Sequence, residues 1–240
     1  LYLLVNLFTI SIPLLFSFHP RIRFYRYWPA FFAAAVLVAI PFLIWDSLFT
    51  EAGIWGFNRD YVTGIYFFNL PLEEILFFIC IPFSCVFTYF CLDKFLELHW
   101  KRGIEGMFSL IFSLILIGAG VVFWEKSYTS LTFISLGSIC LLLKFGFRID
   151  WFGKAVSVYG LLLLPFLIVN GILTGTGLEE PVVWYDNTKN LSIRILTIPF
   201  EDAFYGFELI LLNIYFFKLF TRAFGIVERI SVEVSGEIGG

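Results

Sequence analysis

"PLEEILFFICIPFSCVFTYFCL", residues 71–92, decides the fold class. Behind two carboxylates at its head the stretch stays apolar over the length a helix needs to cross a bilayer, about 20 residues. Working outward, six more segments have this character: about 1–18, 29–49, 106–124, 128–146, 155–174 and 199–220. The chain has 240 residues, of which 60% are hydrophobic and 15% charged, and its mean hydropathy is +0.89. Soluble domains carry about 25% charged residues. The sequence therefore reads as an all-α integral membrane protein with about seven transmembrane helices.

The first run is too long for the apolar core of a signal peptide and lacks a small-residue cleavage site, so it counts as a span. A chain that opens on Leu1 rather than Met suggests a trimmed start and an incomplete first span. Only Glu125 and Lys126 mark the break between the fourth and fifth spans. The net charge of −3 is spread along the chain and suggests neither nucleic acid nor a polybasic membrane anchor. Cys80, Cys85, Cys91 and Cys140 lie in apolar stretches with no zinc or redox spacing, and read as small apolar fillers.

Positive residues favour the cytoplasmic side. Arg21, Arg23, Arg26, Lys94, Lys101, Arg102, Lys144, Arg148, Lys154, Lys218, Arg222 and Arg229 fall in the first, third and fifth connections and the C-terminal tail. The other three connections share Arg59, Lys126, Lys189 and Arg194. This predicts the N-terminus outside and the C-terminus inside.

The sequence also repeats itself. "PFLIWD" at 41–46 returns as "PFLIVN" at 165–170, Trp55 is answered by Trp184, and "LPLEE" at 70–74 by "IPFED" at 198–202, at offsets of 124, 129 and 128. The pattern predicts two tandem three-helix repeats joined by one extra helix: 1–104, a linking helix in 105–126, a second repeat in 127–222, and a cytoplasmic tail over 223–240. The extra span restores the direction that an odd number of spans would invert. The repeats should then be related by a twofold axis along the membrane normal, with a shared site between them.

Pro71 and Pro199 fit the first turn of a helix, where a missing N–H costs nothing. That places Glu73, Glu74, Glu201 and Asp202 in the first turns of spans 3 and 7. Acids there complement the positive helix end, worth about 0.3–1 kcal/mol each. More is implied by their recurrence in both repeats, by the apolar residues before them, and by Asp46 and Asn170 at the same ends of spans 2 and 6. A carboxyl in apolar surroundings finds a partner or takes up a proton, and protonated acids beside ionised ones are the equipment of acid–base catalysis.

Glu201, Tyr205 and Glu208 share one helix face at i, i+4 and i+7, where span 3 has Glu73, Phe77 and Cys80. One half can donate a proton and the other receive it. Aromatic residues make up 21% of the chain. Of the rings near the acids, Phe67, Phe68, Phe77, Phe78, Phe200, Phe204 and Tyr205 are placed to line a cavity and steady a cation. Trp28, Trp55, Trp100 and Trp184 read as interfacial belt residues, and His19 as interfacial too. No dinucleotide fingerprint, phosphate loop or HExxH motif is present. Paired Asp-rich motifs for magnesium diphosphate are missing, and span 7 has no mid-span lysine of the rhodopsin kind.

"PLEEILFF" at 71–78, "PFEDAFYG" at 199–206 and "FHPRI" at 18–22 resemble the lycopene cyclase domain family, the small membrane-embedded carotenoid cyclases that use no flavin. The resemblance runs from about 2 to 222 and is that of the fused tandem form of a two-subunit bacterial lycopene β-cyclase. It implies conversion of the linear ends of lycopene to β-rings, giving γ-carotene and β-carotene, by a proton-initiated isomerisation within the membrane. It further implies no cofactor and no metal, and residence in a bacterial cytoplasmic membrane. Glu73, Glu74, Glu201 and Asp202 become the catalytic candidates. The substrate-binding candidates are Phe77, Phe78, Phe200, Phe204, Tyr205, Asp46, Asn170 and Glu208. The expected partners are lycopene, the bilayer and other carotenoid-pathway enzymes. The alternatives are a cyclase of another carotenoid, an ε-ring former, or a small proton-coupled transporter. A transporter of sugars would line its site with polar residues and broken helices, whereas phenylalanine surrounds these acids.

Overall fold

The computed structural model describes residues 1–226. The part of the expected tail from 227 onward, with Arg229, lies outside them. Seven helices follow one another: α1 (Tyr2–Phe16), α2 (Trp28–Glu51), α3 (Leu72–Phe95), α4 (Arg102–Val122), α5 (Ser127–Leu141), α6 (Phe152–Leu173) and α7 (Asp202–Ala223). A π-helical turn, Leu142–Gly146, continues α5. Six helices are long and apolar enough to cross a membrane, and α1 is a shorter apolar helix.

Pro13, Pro41, Pro82 and Pro165 lie inside helices. Membrane helices tolerate this because neighbouring groups satisfy the freed carbonyls. The outer surface is that of a protein in lipid: Phe8, Leu15, Leu164 and Val122 are each at least 70% exposed. In water such a surface would aggregate.

The helices form one bundle in which α1 packs on α3, α2 on α7, and α5 on both α4 and α7. The α4–α5 approach is close: a Cβ on Gly137 would lie 2.8 Å from Ile117 and 2.9 Å from the Ser113 carbonyl. Small residues at such crossings let backbones meet where lipid supplies no hydrophobic drive. Phe24 is fully buried, with Phe83, Phe87 and Phe90 ring centroids 5.2–5.6 Å away. At the end of the bundle away from the acidic motifs, Asp93 of α3 pairs with Lys154 of α6 and, at 3.6 Å, with Lys218 of α7. Lys144 pairs with Glu105 at 3.0 Å.

The opposite end carries six short strands: β1 (Trp55–Phe57), β2 (Tyr66–Phe67), β3 (Leu70–Pro71), β4 (Val183–Tyr185), β5 (Arg194–Ile195) and β6 (Ile198–Pro199). The β2–β3 hairpin pairs Tyr66 with Pro71 and Phe67 with Leu70. The β5–β6 hairpin pairs Arg194 with Pro199 and Ile195 with Ile198. Every position is repeated at an offset of 128, and so are the left-handed residues: Gly64 and Ser192, Phe68 and Leu196.

Strand β1 pairs antiparallel with β4 and ties the two long connections together. Gly56, not Trp55, stands opposite Trp184, and the Trp184 ring occupies the space a Cβ on Gly56 would need. A twofold through that pair carries Trp55 onto Val183, again at 128. The two prolines also differ from their expected places. Both end a hairpin strand, Pro71 being the extended residue that precedes α3, while α7 begins three residues after Pro199. The chain must finish the hairpin before it can turn into the helix.

Candidate active site

A cavity of about 340 Å³ lies among α1, α3, α6 and α7, and residues of β1 and β4 close it at the strand end. Three carboxyl groups line it: Asp46 of α2, Glu74 of α3 and Asp202 of α7. Their exposures of 2%, 8% and 4% place all three inside the protein. Most of the remaining wall is aliphatic or aromatic.

Each carboxyl is held differently. Tyr2 donates its hydroxyl to Glu74 Oε2 at 2.5 Å. Asp46 Oδ1 accepts from the Trp55 indole at 2.5 Å, while Oδ2 is buried without a hydrogen-bond partner. Glu74 interacts electrostatically with Asp46 and with Asp202. Asp202 is the best supplied. Tyr128 donates to Oδ1 at 2.6 Å, and Asn170 Nδ2 and the Tyr185 hydroxyl each donate to Oδ2 at 3.0 Å. Tyr185 lies in β4, outside the helices. Burial first, and the Asp202 carboxylate second, push its hydroxyl well above the usual phenol range, so it remains a donor.

The other members of the acidic motifs face elsewhere. Glu73 Oε1 accepts the Thr63 backbone N–H at 2.6 Å, and Glu201 Oε1 accepts that of Leu191 at 2.7 Å. Both donors and both acceptors are related by the offset of 128. Thr129 adds a bond to Glu201 at 2.5 Å. Each glutamate pins the loop that leads into its hairpin, and neither lines the cavity. Glu208 also turns away, accepting from Ser135 of α5 at 2.7 Å.

Of the predicted substrate-binding positions, Phe77, Tyr205, Asp46 and Asn170 line the cavity, whereas Phe78, Phe200, Phe204 and Glu208 do not. Phe78 packs on Phe42 at 6.0 Å. Phe204 packs on Phe133 at 4.9 Å and on Phe200 at 5.0 Å, because its side of α7 faces α5. Phe67 and Phe68 are 53% and 101% exposed and stand on a hairpin tip. Trp55 is no belt residue: it is 6% exposed and bonded to Asp46. Trp184, at 43% exposure, keeps an outward position. No cluster of three or more His, Cys, Asp or Glu side chains placed to hold a metal ion occurs among the described residues.

Sequence reasoning missed Tyr2, Tyr128 and Tyr185. A signal existed for the first two, since each stands at the very start of an apolar span, in "LYLL" at 1–4 and "SYTS" at 127–130. Tyr185 carries none until β1 and β4 are paired.

The fold and the site together define a class: an all-α membrane protein in which carboxyls from two similar halves converge on an apolar, aromatic-walled cavity. The family model described as Lycopene cyclase matches residues 1–92 and 125–220, and the chain belongs to that family. The unmatched interval between them contains α4.

Curated relatives include three fungal proteins, each named bifunctional lycopene cyclase/phytoene synthase. The one from Aspergillus niger is 24% identical over 70% of this chain and 25% of its own length. The Aspergillus oryzae protein is 27% identical over 61% of this chain and 22% of its own. The Arthroderma gypseum protein is 28% identical over 56% and 23%. The chain thus spans about a quarter of the length of these relatives. No solved structure matches it.

Proposed function

We propose that the protein is a carotenoid cyclase that closes the linear ends of lycopene into β-rings by acid–base isomerisation inside the membrane. The observation that carries this reading is the convergence of Glu74 and Asp202, one from each half, on a single apolar cavity. Family membership and the names of the relatives support the lycopene end of the proposal. The two halves, 1–104 and 127–222, are proposed as the units that each contribute one side of the site, with the N-terminus on the outer face.

In the proposed reaction a carboxylic acid protonates carbon 2 of the terminal double bond and leaves a tertiary cation at carbon 1. The internal double bond attacks that cation, a six-membered ring forms, and the charge moves to carbon 5. A carboxylate then removes the proton from carbon 6. One proton enters and one leaves, so no oxidant or reductant is needed.

Glu74 is proposed as the acid and Asp202 as the base. With donors to both oxygens, Asp202 has more hydrogen bonds to stabilise its charged form than Glu74 has. Glu74 accepts one donor and shares the cavity with Asp46 and Asp202, and neighbouring carboxyls in a dry site hold a proton more readily than they hold every charge. Asp46 and Asn170 are the equivalent positions of the repeats, so the acid-for-amide difference between them separates the halves. The rings of Phe77, Tyr128 and Tyr205 line the cavity in which the cation would form, and aromatic walls steady such a charge.

The test is expression in a bacterium that accumulates lycopene, with the extracted pigments separated and identified by their spectra. Cyclised product is expected, and membranes given preformed unlabelled lycopene in heavy water should place one deuterium on each new ring, at carbon 2. Unchanged lycopene with the protein present in the membrane would refute the reading.

A further inference from the structure

The cavity extends well beyond its acids. Down α3 its wall runs from Glu74 through Phe77, Ile81 and Cys85 to Thr88, about four helical turns or roughly 20 Å. Two residues of the lining, Ile12 of α1 and Pro165 of α6, are also exposed on the outside of the bundle. The cavity therefore opens sideways between α1 and α6, along the apolar length of the helices.

The second half does not offer the same space. The equivalents of Phe77, Phe166 and Val169 are Tyr205, Phe42 and Trp45. These three rings pack on one another, with Tyr205 5.2 Å from Phe42 and 5.3 Å from Trp45. Trp45 thus stands where the first half's partner helix has only Val169. The volume of about 340 Å³ is at the low end of the roughly 300–1,000 Å³ of small-molecule sites, and suits one end of a long hydrocarbon.

We propose that the gap between α1 and α6 is a lateral portal. One end of a linear isoprenoid hydrocarbon enters from the acyl region of the bilayer, lies along α3, and reaches Glu74 and Asp202 while the rest stays in lipid. The inference rests on the cyclase reading and adds an order to it. Each binding event closes one ring, and the one-ringed product leaves before its other end can enter.

The test compares Val169→Trp and Cys85→Phe, which narrow the passage from two helices, with Leu164→Trp on the lipid-facing side of α6. Lycopene retained by the detergent-purified protein and pigment conversion in lycopene-accumulating cells are read together, with elution profiles reporting the fold. Both narrowing variants should lose at least tenfold in retained lycopene and in conversion, and Leu164→Trp should match the wild type. In membranes with excess lycopene, the one-ringed product should appear free before any two-ringed product. Wild-type cyclisation with unaffected narrowing variants, or two-ringed product with no free one-ringed precursor, would overturn the portal alone. Wild-type protein that leaves lycopene unchanged would remove the cyclase reading and the portal with it.

Discussion

The acidic motif of the first half and that of the second occupy equivalent places, and their leading glutamates are used alike. Glu73 and Glu201 each accept one backbone N–H, from Thr63 and Leu191, and so anchor matching hairpins. The residues that follow them diverge. Glu74 has one tyrosine donor, whereas Asp202 has two tyrosines and an amide. The fold has thus kept the structural half of the motif symmetrical while the half that faces the cavity has become two different groups. A twofold frame with unlike carboxyls suits a reaction in which a proton enters on one side and leaves on the other.

The comparison breaks most sharply at the cavity acids. Glu74→Gln and Asp202→Asn should each lower cyclisation about 100- to 10,000-fold, with the protein still reaching the membrane in normal amount, as measured by pigment analysis against quantified protein. Asp46→Asn makes the first half resemble the second and should cost about tenfold to a hundredfold by the same assay, because Glu74 then loses a neighbouring carboxyl that helps it keep its proton.

Smaller effects sharpen the contrast. Tyr128→Phe removes one of three donors to Asp202, and Tyr2→Phe the one donor to the Glu74 carboxyl among the described residues. The bond from Tyr128 to the Asp202 carboxylate is charge-assisted, worth about 1.5–3 kcal/mol, and that from Tyr2 to a protonated Glu74 is neutral, worth about 0.5–1.5 kcal/mol, so turnover by the same pigment assay should fall more with Tyr128→Phe than with Tyr2→Phe. Glu73→Ala should act on the fold instead. It strands the Thr63 N–H and should lower stability by about 1–3 kcal/mol, read as a fall in melting temperature. Glu208→Gln should have the smallest effect of the series on cyclisation, since its carboxyl faces Ser135 rather than the cavity.

Much of this frame was legible in the sequence. The apolar runs gave seven helices to within a few residues, because lipid demands a continuous apolar length. The recurrence of "LPLEE" as "IPFED" placed the acids at matching points. Which acid of each pair faces the cavity was not legible. Successive helical residues point about 100° apart, and that choice depends on where each helix starts and which neighbour it packs against. Pro199, expected inside α7, ends β6 instead, and the helix begins at Asp202. The same limit explains Phe204 and Glu208, which share a helix with Tyr205 yet face α5. Trp55 looked like a belt residue because its place near a span end says nothing of the strand pair that folds it inward onto Asp46.

The most direct test pairs the two members of each motif at matched protein level. Glu74→Gln, Asp202→Asn, Glu73→Gln and Glu201→Gln would be expressed separately in lycopene-accumulating cells, and the cyclised fraction of the pigment measured. The predicted result is red, uncyclised lycopene with the first two variants and substantial cyclised product with the last two. Cyclisation retained by Glu74→Gln and Asp202→Asn but lost with Glu73→Gln and Glu201→Gln would contradict the account.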